Sequence, residues 1–456
     1  MYFSGASKFI LKLFKYFLFL FIVLINNIFG QNKISPTYAF PDSFYYLKNI
    51  VIQGNRSTKS FVITRELTIF TNSLITHQDL NYNSERIYSL GIFTKVELLI
   101  EQTNSDSLLP TADLHINVVE RLNYLVYPIF GFRDKETDKL FYGVGFAHIN
   151  FREQKENLFF EVVRGYDPTI FIFHNIPYLN SDDNIFGNYK IASSDLYNRS
   201  KKFEGDSIKF KTNLFNATIG KRFSVYTRSS ILFGWKQIKL NYNIPDLLSS
   251  TDFNDKVFTT IIEFNYDSRN LIEYPSSGSF QKYQLHQYYN LDVSTNYFRY
   301  LIDSRFYKQI LGDNILTAKI FINVAQNKFI PIYDHQYFGY QDRLQGHYFN
   351  VLEGENLSSF ATELHYPIIK PKYFYFADIP FEEFRDIRFA TYLSFFANTS
   401  AAWWGKDKIS KTFFYTGYGA GLHFLLPYSL VVRTEYGFGN RGLTKGNFYW
   451  DIGAAF

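Results

Sequence analysis

The chain of 456 residues contains no cysteine. This absence excludes disulfides, thiolate metal sites and the cysteine-linked lipid anchor of a lipoprotein. Beyond the first thirty residues, no apolar run approaches the roughly 18 residues that a membrane-spanning helix needs. The formal net charge is only +5, so the composition implies neither an acidic nor a basic partner. Any crossing of a membrane by the chain beyond residue 30 must use strands, because no apolar run there is long enough for a helix.

Sequence motifs of enzymes are missing as well. There is no nucleophile elbow, no His-Glu metal helix and no phosphate-binding loop. The nine histidines are scattered along the chain, and we interpret them as ordinary strand residues. The sequence therefore predicts no enzymatic activity, no cofactor, no metal site and no nucleic-acid partner.

The first thirty residues have the pattern of a secretory signal. Lys8, Lys12 and Lys15 precede an apolar run at 16–25, and Gly30 offers a cleavage point. We predict a signal peptide over 1–30 and a short linker over 31–44. The alternative is an uncleaved amino-terminal anchor helix, for which the apolar run is short. Both interpretations predict an exported protein.

Residues 45–121 have the residue pattern of a small soluble α+β domain. A strand closes at the turn residues Gly54 and Asn55. A helix is predicted to follow, with Thr58 as its cap and Asn72 at its end. Its inward face consists of Ile63, Leu67 and Phe70.

A second helix is predicted from a capping box formed by Thr76 and Asp79, and Gly91 provides its left-handed end. Its inward face consists of Leu80, Ile87 and Leu90. Two alternating strands follow, with inward residues Val96, Leu98 and Ile100 in the first and Leu114, Ile116 and Val118 in the second. The predicted order is strand, helix, helix, strand, strand.

This module resembles a POTRA domain, the periplasmic polypeptide-transport-associated module of the bacterial surface antigen family. The residues that carry the resemblance are Gly54, Asn55, Arg65, Leu67, Gly91 and Phe93. The alternative is an unrelated small α+β domain. The resemblance implies a module that lies in the periplasm.

From residue 122 to 456, strands with opposite faces recur and helical periodicity is absent. Ile262 and Phe264, for example, alternate with Glu263 and Asn265. Charged residues on one face are costly in lipid and belong in a lumen. At about 20 residues per strand and turn, the segment holds on the order of 16 strands. We predict a mainly β fold, with a transmembrane antiparallel barrel of about 16 strands; the alternative is a soluble β-sandwich.

The segment 339–367 carries the most specific motif, and in the strand that follows it Glu363 and His365 alternate with Leu364 and Tyr366 and so share one face. Leu344, Gln345, Gly346 and His347 resemble the Val-Arg-Gly-Phe/Tyr motif in the inward-folded sixth loop of BamA-type outer-membrane assembly proteins. The arginine and the aromatic residue of that motif are replaced here. The resemblance implies that this loop folds into the barrel.

In the family, the loop arginine meets two acidic residues of the barrel wall. The resemblance places Glu363 at the first position, while Phe396 and Asn398 occupy a Phe-x-Asp pattern with an amide in place of the second acid. We expect arginine and acid to have been lost together, with Gln345 and Asn398 bonded to each other. Arg343 is a second candidate partner of Glu363, and a misalignment by one or two residues is the alternative. A Gln345→Arg change alone is then expected to destabilise the barrel, and the double change with Asn398→Asp is not.

Two further motifs match the family. Asp267, Arg269, Pro275 and Gly278 resemble its Asp-x-Arg and Pro-x-x-Gly hairpin, in which the charged pair closes the strand end and Gly278 restarts the next strand. The last strand ends with Phe448, Trp450, Ile452 and Phe456 on one face, which resembles the signal by which a barrel is recognised for insertion.

The resemblance implies a BamA-type factor that inserts proteins into the outer membrane and takes client strands by β-augmentation at the POTRA edge and at the barrel seam. The implied partners are the lipid bilayer, unfolded outer-membrane or secreted clients, and periplasmic accessory proteins. Two alternatives remain: a translocation pore for one cargo, and a structural or receptor barrel that has lost assembly activity. The replaced loop motif favours the last.

Overall fold

A computed structural model describes residues 44–456, apart from 105–109, 137, 181–182, 204–207, 242–243, 245–246, 294, 327–328, 341–343, 408, 441–445 and 454–456. The predicted signal peptide, most of the predicted linker, Arg343 and Phe456 lie outside the described residues.

The amino-terminal module is a four-stranded sheet with two helices. Its elements are β1 (Tyr45–Gln53), α1 (Ser60–Thr64), β2 (Leu74–Ile75), α2 (His77–Tyr88), β3 (Phe93–Asn104) and β4 (Thr111–Glu120). The strand order is β2-β1-β4-β3, with β1 and β4 parallel. The predicted order is confirmed except for β2, whose two residues are too few to show an alternating pattern.

The two helices differ in how well the sequence predicted them. The capping box of α2 is confirmed, because Thr76 Oγ1 accepts a hydrogen bond from the Asp79 amide and Asp79 accepts one from the Thr76 amide. The prediction for α1 is wrong at both ends: its N-cap is Lys59, and it ends before Asn72. The Thr58 hydroxyl instead accepts a hydrogen bond from Asn150 at 2.9 Å.

The short length of α1 also changes which residues face the core. Ile63 and Leu67 are buried as predicted, but Phe70 is 64% exposed. Helical periodicity holds only inside a helix, and Phe70 lies beyond the end of α1.

A sheet of sixteen antiparallel strands follows, in which each strand pairs with its neighbour in the chain. The strands are β5 (Tyr124–Phe132), β6 (Leu140–Phe151), β7 (Glu156–Gly165), β8 (Thr169–Asn180), β9 (Ile185–Tyr197), β10 (Lys209–Arg222), β11 (Thr227–Lys239), β12 (Asn254–Asp267), β13 (Gly278–Asn290), β14 (Asn296–Gln309), β15 (Ile315–Gln326), β18 (Asn356–Tyr375), β19 (Asp386–Trp403), β20 (Tyr415–Leu426), β21 (Leu430–Gly439) and β22 (Asn447–Gly453). The predicted strand number is confirmed.

Between β15 and β18 the chain forms a small hairpin of its own, β16 (Gln336–Phe338) and β17 (Leu352–Gly354). Short 3-10 helices occupy several connections: Arg133–Lys135, Lys201–Phe203, Ile332–Asp334, Glu382–Phe384 and Ile409–Lys411. No helix in the described part of the chain is long and apolar enough to cross a membrane.

The two faces of the sixteen-stranded sheet have opposite character. Leu316 and Ile320 are exposed on the outside of β15, whereas Thr317 and Asn323 are buried on its inside. On β21, Glu435 is buried. The protein thus exposes its apolar face and encloses its polar one, as a barrel in lipid requires.

The amino-terminal module packs against one end of the barrel through charged contacts. Arg388 of β19 bonds both carboxylate oxygens of Glu85 at 2.7 Å. Glu66 accepts hydrogen bonds from Arg222 of β10 and from Arg86 of α2. These contacts fix the module at the strand ends.

Candidate functional site

The chain between β15 and β18 crosses the inside of the barrel. Buried Leu344 packs in a cluster with Phe338, Leu352 and Leu357. Farther along, Glu353 accepts a hydrogen bond of 2.6 Å from Ser200, in the connection between β9 and β10. The loop therefore contacts parts of the barrel that are far apart in the chain, and we call its described residues, 329–340 and 344–355, the inward loop.

Gln345 lies at the tip of the inward loop and between two carboxylates. Its Nε2 donates to Glu363 Oε1 at 2.7 Å and to Glu435 Oε1 at 3.1 Å. Both glutamates are buried. Glu363 is the acid that the motif pointed to, while Glu435 on β21 was missed because it belongs to no recognised motif.

Asn398 contacts the same tip in a different way from the one expected. Its Nδ2 donates to the backbone carbonyl of Gln345 at 3.0 Å. The expected bond between the two side chains is therefore wrong, since the Gln345 amide is directed to the glutamates. Phe396, two residues earlier on β19, is buried beneath Gly419 and Gly437.

Glycines allow the loop tip to touch the barrel wall. Gly346 has a φ of 78° and is buried against the backbone of Phe438 and Gly417. A side chain at Gly417 would in turn meet the carbonyl of Gln345. The glycines of β20 are therefore explained by close backbone approach and not by nucleotide binding.

The two side chains after Gly346 make further contacts between the loop tip and the barrel wall. His347 Nε2 is 3.0 Å from the Thr416 carbonyl and 3.1 Å from Asn440 Oδ1. Tyr348 donates to Glu435 Oε2 at 3.0 Å and stacks on Tyr449 of the last strand. Gln345, Gly346 and His347 thus lie together against β20 and β21, with Tyr348 as an additional contact.

Beneath the tip lie two histidines that the sequence analysis treated as scattered. His365 Nε2 is 2.7 Å from Glu363 Oε2, and His423 Nε2 is 3.6 Å from Glu435 Oε1. The hydroxyl of Tyr274 is 3.0 Å from His423 Nδ1. The alternation of β18 placed His365 beside Glu363, but nothing in the sequence revealed that β20 brings His423 to the same place.

Tyr274 comes from the connection 268–277, which contains the hairpin motif. Arg269 pairs with Asp267 at 2.8 Å, and Gly278 begins β13 with a φ of 96°. Pro275 is buried in this connection. The connection is longer than a tight turn and carries Tyr274 into the barrel, where it is buried.

The remaining motif residues lie away from this site. On β22, Phe448, Trp450 and Ile452 are exposed on the outer face. In the amino-terminal module, Leu67 and Phe93 are buried, Asn55 donates to the Thr58 carbonyl, and Gly54 and Gly91 have left-handed backbone. Arg65 reaches the barrel, where its guanidinium lies 4.3 Å from the ring centre of Tyr178.

The sequence pattern of the Omp85 superfamily domain matches residues 174–456, more than half of the chain. The chain belongs to the Omp85 superfamily. A second pattern, the POTRA surface antigen variable number repeat, matches residues 45–121 of this Omp85 protein. A comparison with curated protein sequences finds no match.

Solved structures share the fold of this Omp85 protein. BamA from Haemophilus ducreyi, lacking POTRA domains 1–3, is 16% identical with a TM-score of 0.52, over 90% of this chain and 84% of that one. CdiB from Escherichia coli is 10% identical with a TM-score of 0.51, over 93% of each chain. Omp85 proteins are non-enzymatic factors that act on protein clients in the outer membrane, by insertion or by translocation.

Proposed function

We propose that this Omp85 protein inserts other β-barrel proteins into the outer membrane, with its POTRA domain in the periplasm. The observation that carries the proposal is the exposed edge of β5. In the part of the chain that the structure describes, β5 pairs with β6 and with no second strand. An unpaired strand edge is a template for a further strand, and a barrel factor can offer it to a client.

The composition of β5 supports this role. Val126 is 67% exposed and Phe130 is 69% exposed, so the strand presents apolar side chains along its length. Pro128 lacks a backbone N–H, a residue type that sheets accept at edges and reject in central strands. An apolar edge in lipid favours the addition of an equally apolar client strand.

The POTRA sheet offers a second edge. In the described residues, β3 pairs only with β4, and its first half lies near the barrel, where Lys95 pairs with Asp386. Its second half, residues 97–103, is exposed or half-buried, and Leu99 is exposed. We propose that this half takes the client strand by β-augmentation before the strand reaches β5.

The seated loop tip opposes the interpretation that this barrel has lost assembly activity. That alternative rested on the missing arginine and on Asn398. Gln345 nevertheless bonds two buried carboxylates, and Gly346 lies against the wall. The contact between the loop tip and the barrel wall is therefore present, with an amide in place of the guanidinium. A dedicated translocation pore remains the alternative to a general assembly factor.

Site-specific crosslinking tests the role of β5. The chain has no cysteine, so a cysteine that replaces Val126 carries a unique photoreactive probe. The matched control is Val144 on β6, which is also exposed but lies on a strand with partners on both sides. We expect newly exported barrel proteins to crosslink at position 126 and not at 144. Equal crosslinking at both positions contradicts the proposal.

Depletion separates the candidate functions. If the protein is a general assembly factor, many outer-membrane barrels fall in abundance when it is depleted, and they accumulate unfolded. Loss of one exported cargo with normal barrels indicates a dedicated translocation pore instead. Unchanged barrels and unchanged cargo overturn both and leave a structural or receptor barrel.

A further inference from the structure

We propose that the cluster of Glu363, His365 and His423 inside the barrel binds a divalent transition-metal ion, with Zn²⁺ as the expected occupant and Glu435 beside it. This site is independent of whether the protein inserts clients. Imidazole nitrogens and carboxylate oxygens are the ligands that zinc takes in proteins, and two histidines with a glutamate form a known kind of zinc ligand set.

The ligand atoms are already close together. One such atom from each of Glu363, His365 and His423 lies within 4.8 Å of the other two. In a tetrahedral zinc site with bonds of about 2.0–2.2 Å, neighbouring ligand atoms are roughly 3.4 Å apart. His423 Nε2 and the neighbouring Glu435 Oε1 are 3.6 Å apart, close to that spacing, whereas His365 Nε2 and Glu363 Oε2 are 2.7 Å apart and would separate by about 0.7 Å on binding.

One ring nitrogen that faces the cluster, Nε2 of His423, is buried without a hydrogen-bond partner. Residues His365 and His423 are at most 2% exposed. A buried polar atom without a partner costs about 1–3 kcal/mol, so native proteins rarely keep one. A metal ion accepts the lone pair of such a nitrogen and removes this cost.

The support around His423 is of the kind that metal-binding histidines have. Tyr274 Oη is 3.0 Å from His423 Nδ1 and can accept its N–H, which leaves Nε2 deprotonated and directed at Glu435. Metal-ligating imidazoles usually donate their other N–H to such an outer partner. Tyr274 is itself buried, so its hydrogen bond to Nδ1 fixes the orientation of the His423 ring.

The two buried carboxylates of the cluster also favour a bound cation. Glu363 and Glu435 are both buried, and among the described residues the basic side chains within ion-pair distance of them are His365 and His423. A nearby positive charge stabilises a buried carboxylate. One divalent ion near the two imidazoles, whose ring centres are 5.5 Å apart, would supply two positive charges.

A metal ion here would tie together strands that the sequence keeps far apart. Glu363 and His365 belong to β18, His423 to β20 and Glu435 to β21. Gln345 at the tip of the inward loop donates to both glutamates, so the ion would lie directly below the loop contact. Metal binding is therefore expected to stabilise the seated position of the loop.

Metal titration of the purified full-length barrel in detergent tests the proposal. After removal of metals with a chelator, Zn²⁺ is titrated by calorimetry and Co²⁺ by visible absorption. We expect one equivalent per chain. His365→Gln and His423→Gln should each weaken binding by at least about 100-fold, and Tyr274→Phe by about 10–100-fold, the usual effect of removing an outer partner.

The matched control is His174→Gln. His174 is also buried in the barrel and lies 3.0 Å from a buried carboxylate, Glu156, but among the described residues it belongs to no group of three possible metal ligands. This variant should bind Zn²⁺ as tightly as the unmodified protein. Folding of each variant is checked by the shift of its band between heated and unheated gel samples.

X-ray absorption of the zinc-loaded, unmodified protein keeps the test independent of variant folding. Two imidazole ligands at about 2.0–2.1 Å support the site. The proposal is overturned if the unmodified protein binds no Zn²⁺ at neutral pH, if the spectrum shows no imidazole, or if His365→Gln and His423→Gln both bind Zn²⁺ normally.

Discussion

Gln345 stands where the related loop motif has an arginine, and its environment still suits a positive charge. Its amide nitrogen contacts Glu363 and Glu435, both buried. Asn398, which stands at the position of the second acid, donates a hydrogen bond to the backbone carbonyl of Gln345 instead. The loss of the arginine was therefore not matched by the loss of acidic partners, which removes the reason for expecting Gln345→Arg to be harmful.

The revised prediction is that Gln345→Arg raises the stability of the folded barrel. Hydrogen bonds to charged groups contribute about 1.5–3 kcal/mol each, and arginine adds its charge to bonds that the amide already makes. Gln345→Met, which removes the donor, should lower stability by a similar amount. The measurement is the midpoint of urea unfolding of the chelator-treated protein, followed by gel band shift. A Gln345→Arg midpoint as low as that of Gln345→Met contradicts the prediction.

The double change tests the same idea from the other side. Asn398→Asp removes the donor to the Gln345 carbonyl and adds a third acid beside Glu363 and Glu435. We therefore expect Gln345→Arg with Asn398→Asp to be less stable than Gln345→Arg alone. The original expectation from the sequence was the reverse, so unfolding midpoints of the four proteins in this cycle decide between them.

Gly346 should tolerate no side chain. Gly346→Ala places a Cβ 2.9 Å from the Cα of Gly417 in addition to the left-handed backbone cost of roughly 1–2 kcal/mol. Gly312 is the control, because its φ is 65° and a Cβ there meets nothing within 4 Å. We expect Gly346→Ala to lower the unfolding free energy by about 1–3 kcal/mol more than Gly312→Ala does. Equal effects would show that the loop tip is not seated against β20.

The sequence predicted only part of this site. The motif located Leu344, Gln345 and Gly346, and alternation on β18 placed Glu363 and His365 on one face. Glu435 and His423 could not be found in this way, since their position depends on strand register across β19, β20 and β21. Register between distant strands follows from packing, and a single sequence does not contain it in readable form.

At the scale of elements, prediction succeeded where a local interaction defines the boundary. The start of α2 was found because Thr76 and Asp79 bond each other within one turn. The start of α1 was missed because the Thr58 hydroxyl is occupied by Asn150, a barrel residue 92 positions away. The short strands β2, β16 and β17 were not predicted, because two or three residues form no periodic pattern.

The packing of the POTRA domain on the barrel should depend on pH through Glu66. Burial raises the pKa of Glu66, but Arg222 and Arg86 outweigh burial and hold the pKa below its ordinary value of 4.5. A carboxylate with a depressed pKa in the folded state stabilises that state above pH 4.5, and the contribution is lost as the pH falls through the folded value. Acid should therefore weaken this contact.

The change Glu66→Gln makes this contribution measurable. We expect it to lower the thermal midpoint at pH 7, and the gap to the unmodified protein should close as the pH falls below 4.5. Glu101→Gln is the control, because that carboxylate is 72% exposed and should affect the midpoint little at either pH. A gap for Glu66→Gln that stays constant with pH would rule out the ion-pair explanation.

On the scale of the whole molecule, the distribution of polarity is inverted relative to a soluble protein. Apolar residues such as Ile262, Phe264 and Tyr436 are exposed, whereas Asn265 and Glu435, next to them in the chain, are buried. The period-2 pattern was sufficient to predict this arrangement, and the length of the segment predicted the number of strands. The inward loop was expected only from the motif resemblance, and its own hairpin was not predicted.

Because of this inversion, the exposure of a position does not by itself tell whether that position accepts a charged residue. Ile262, in the outer face of β12, is 51% exposed, and Leu311, between β14 and β15, is 86% exposed. If water surrounded the barrel, an arginine would be harmless at both positions. In a bilayer, an outward arginine near the middle of a strand costs about 2–4 kcal/mol and one near the interface about 0–1. We therefore expect Ile262→Arg to reduce folding into lipid vesicles strongly and Leu311→Arg to leave it nearly unchanged, as measured by gel band shift after refolding. Equal folding of the two variants in vesicles would mean that the outer face of β12 does not contact lipid.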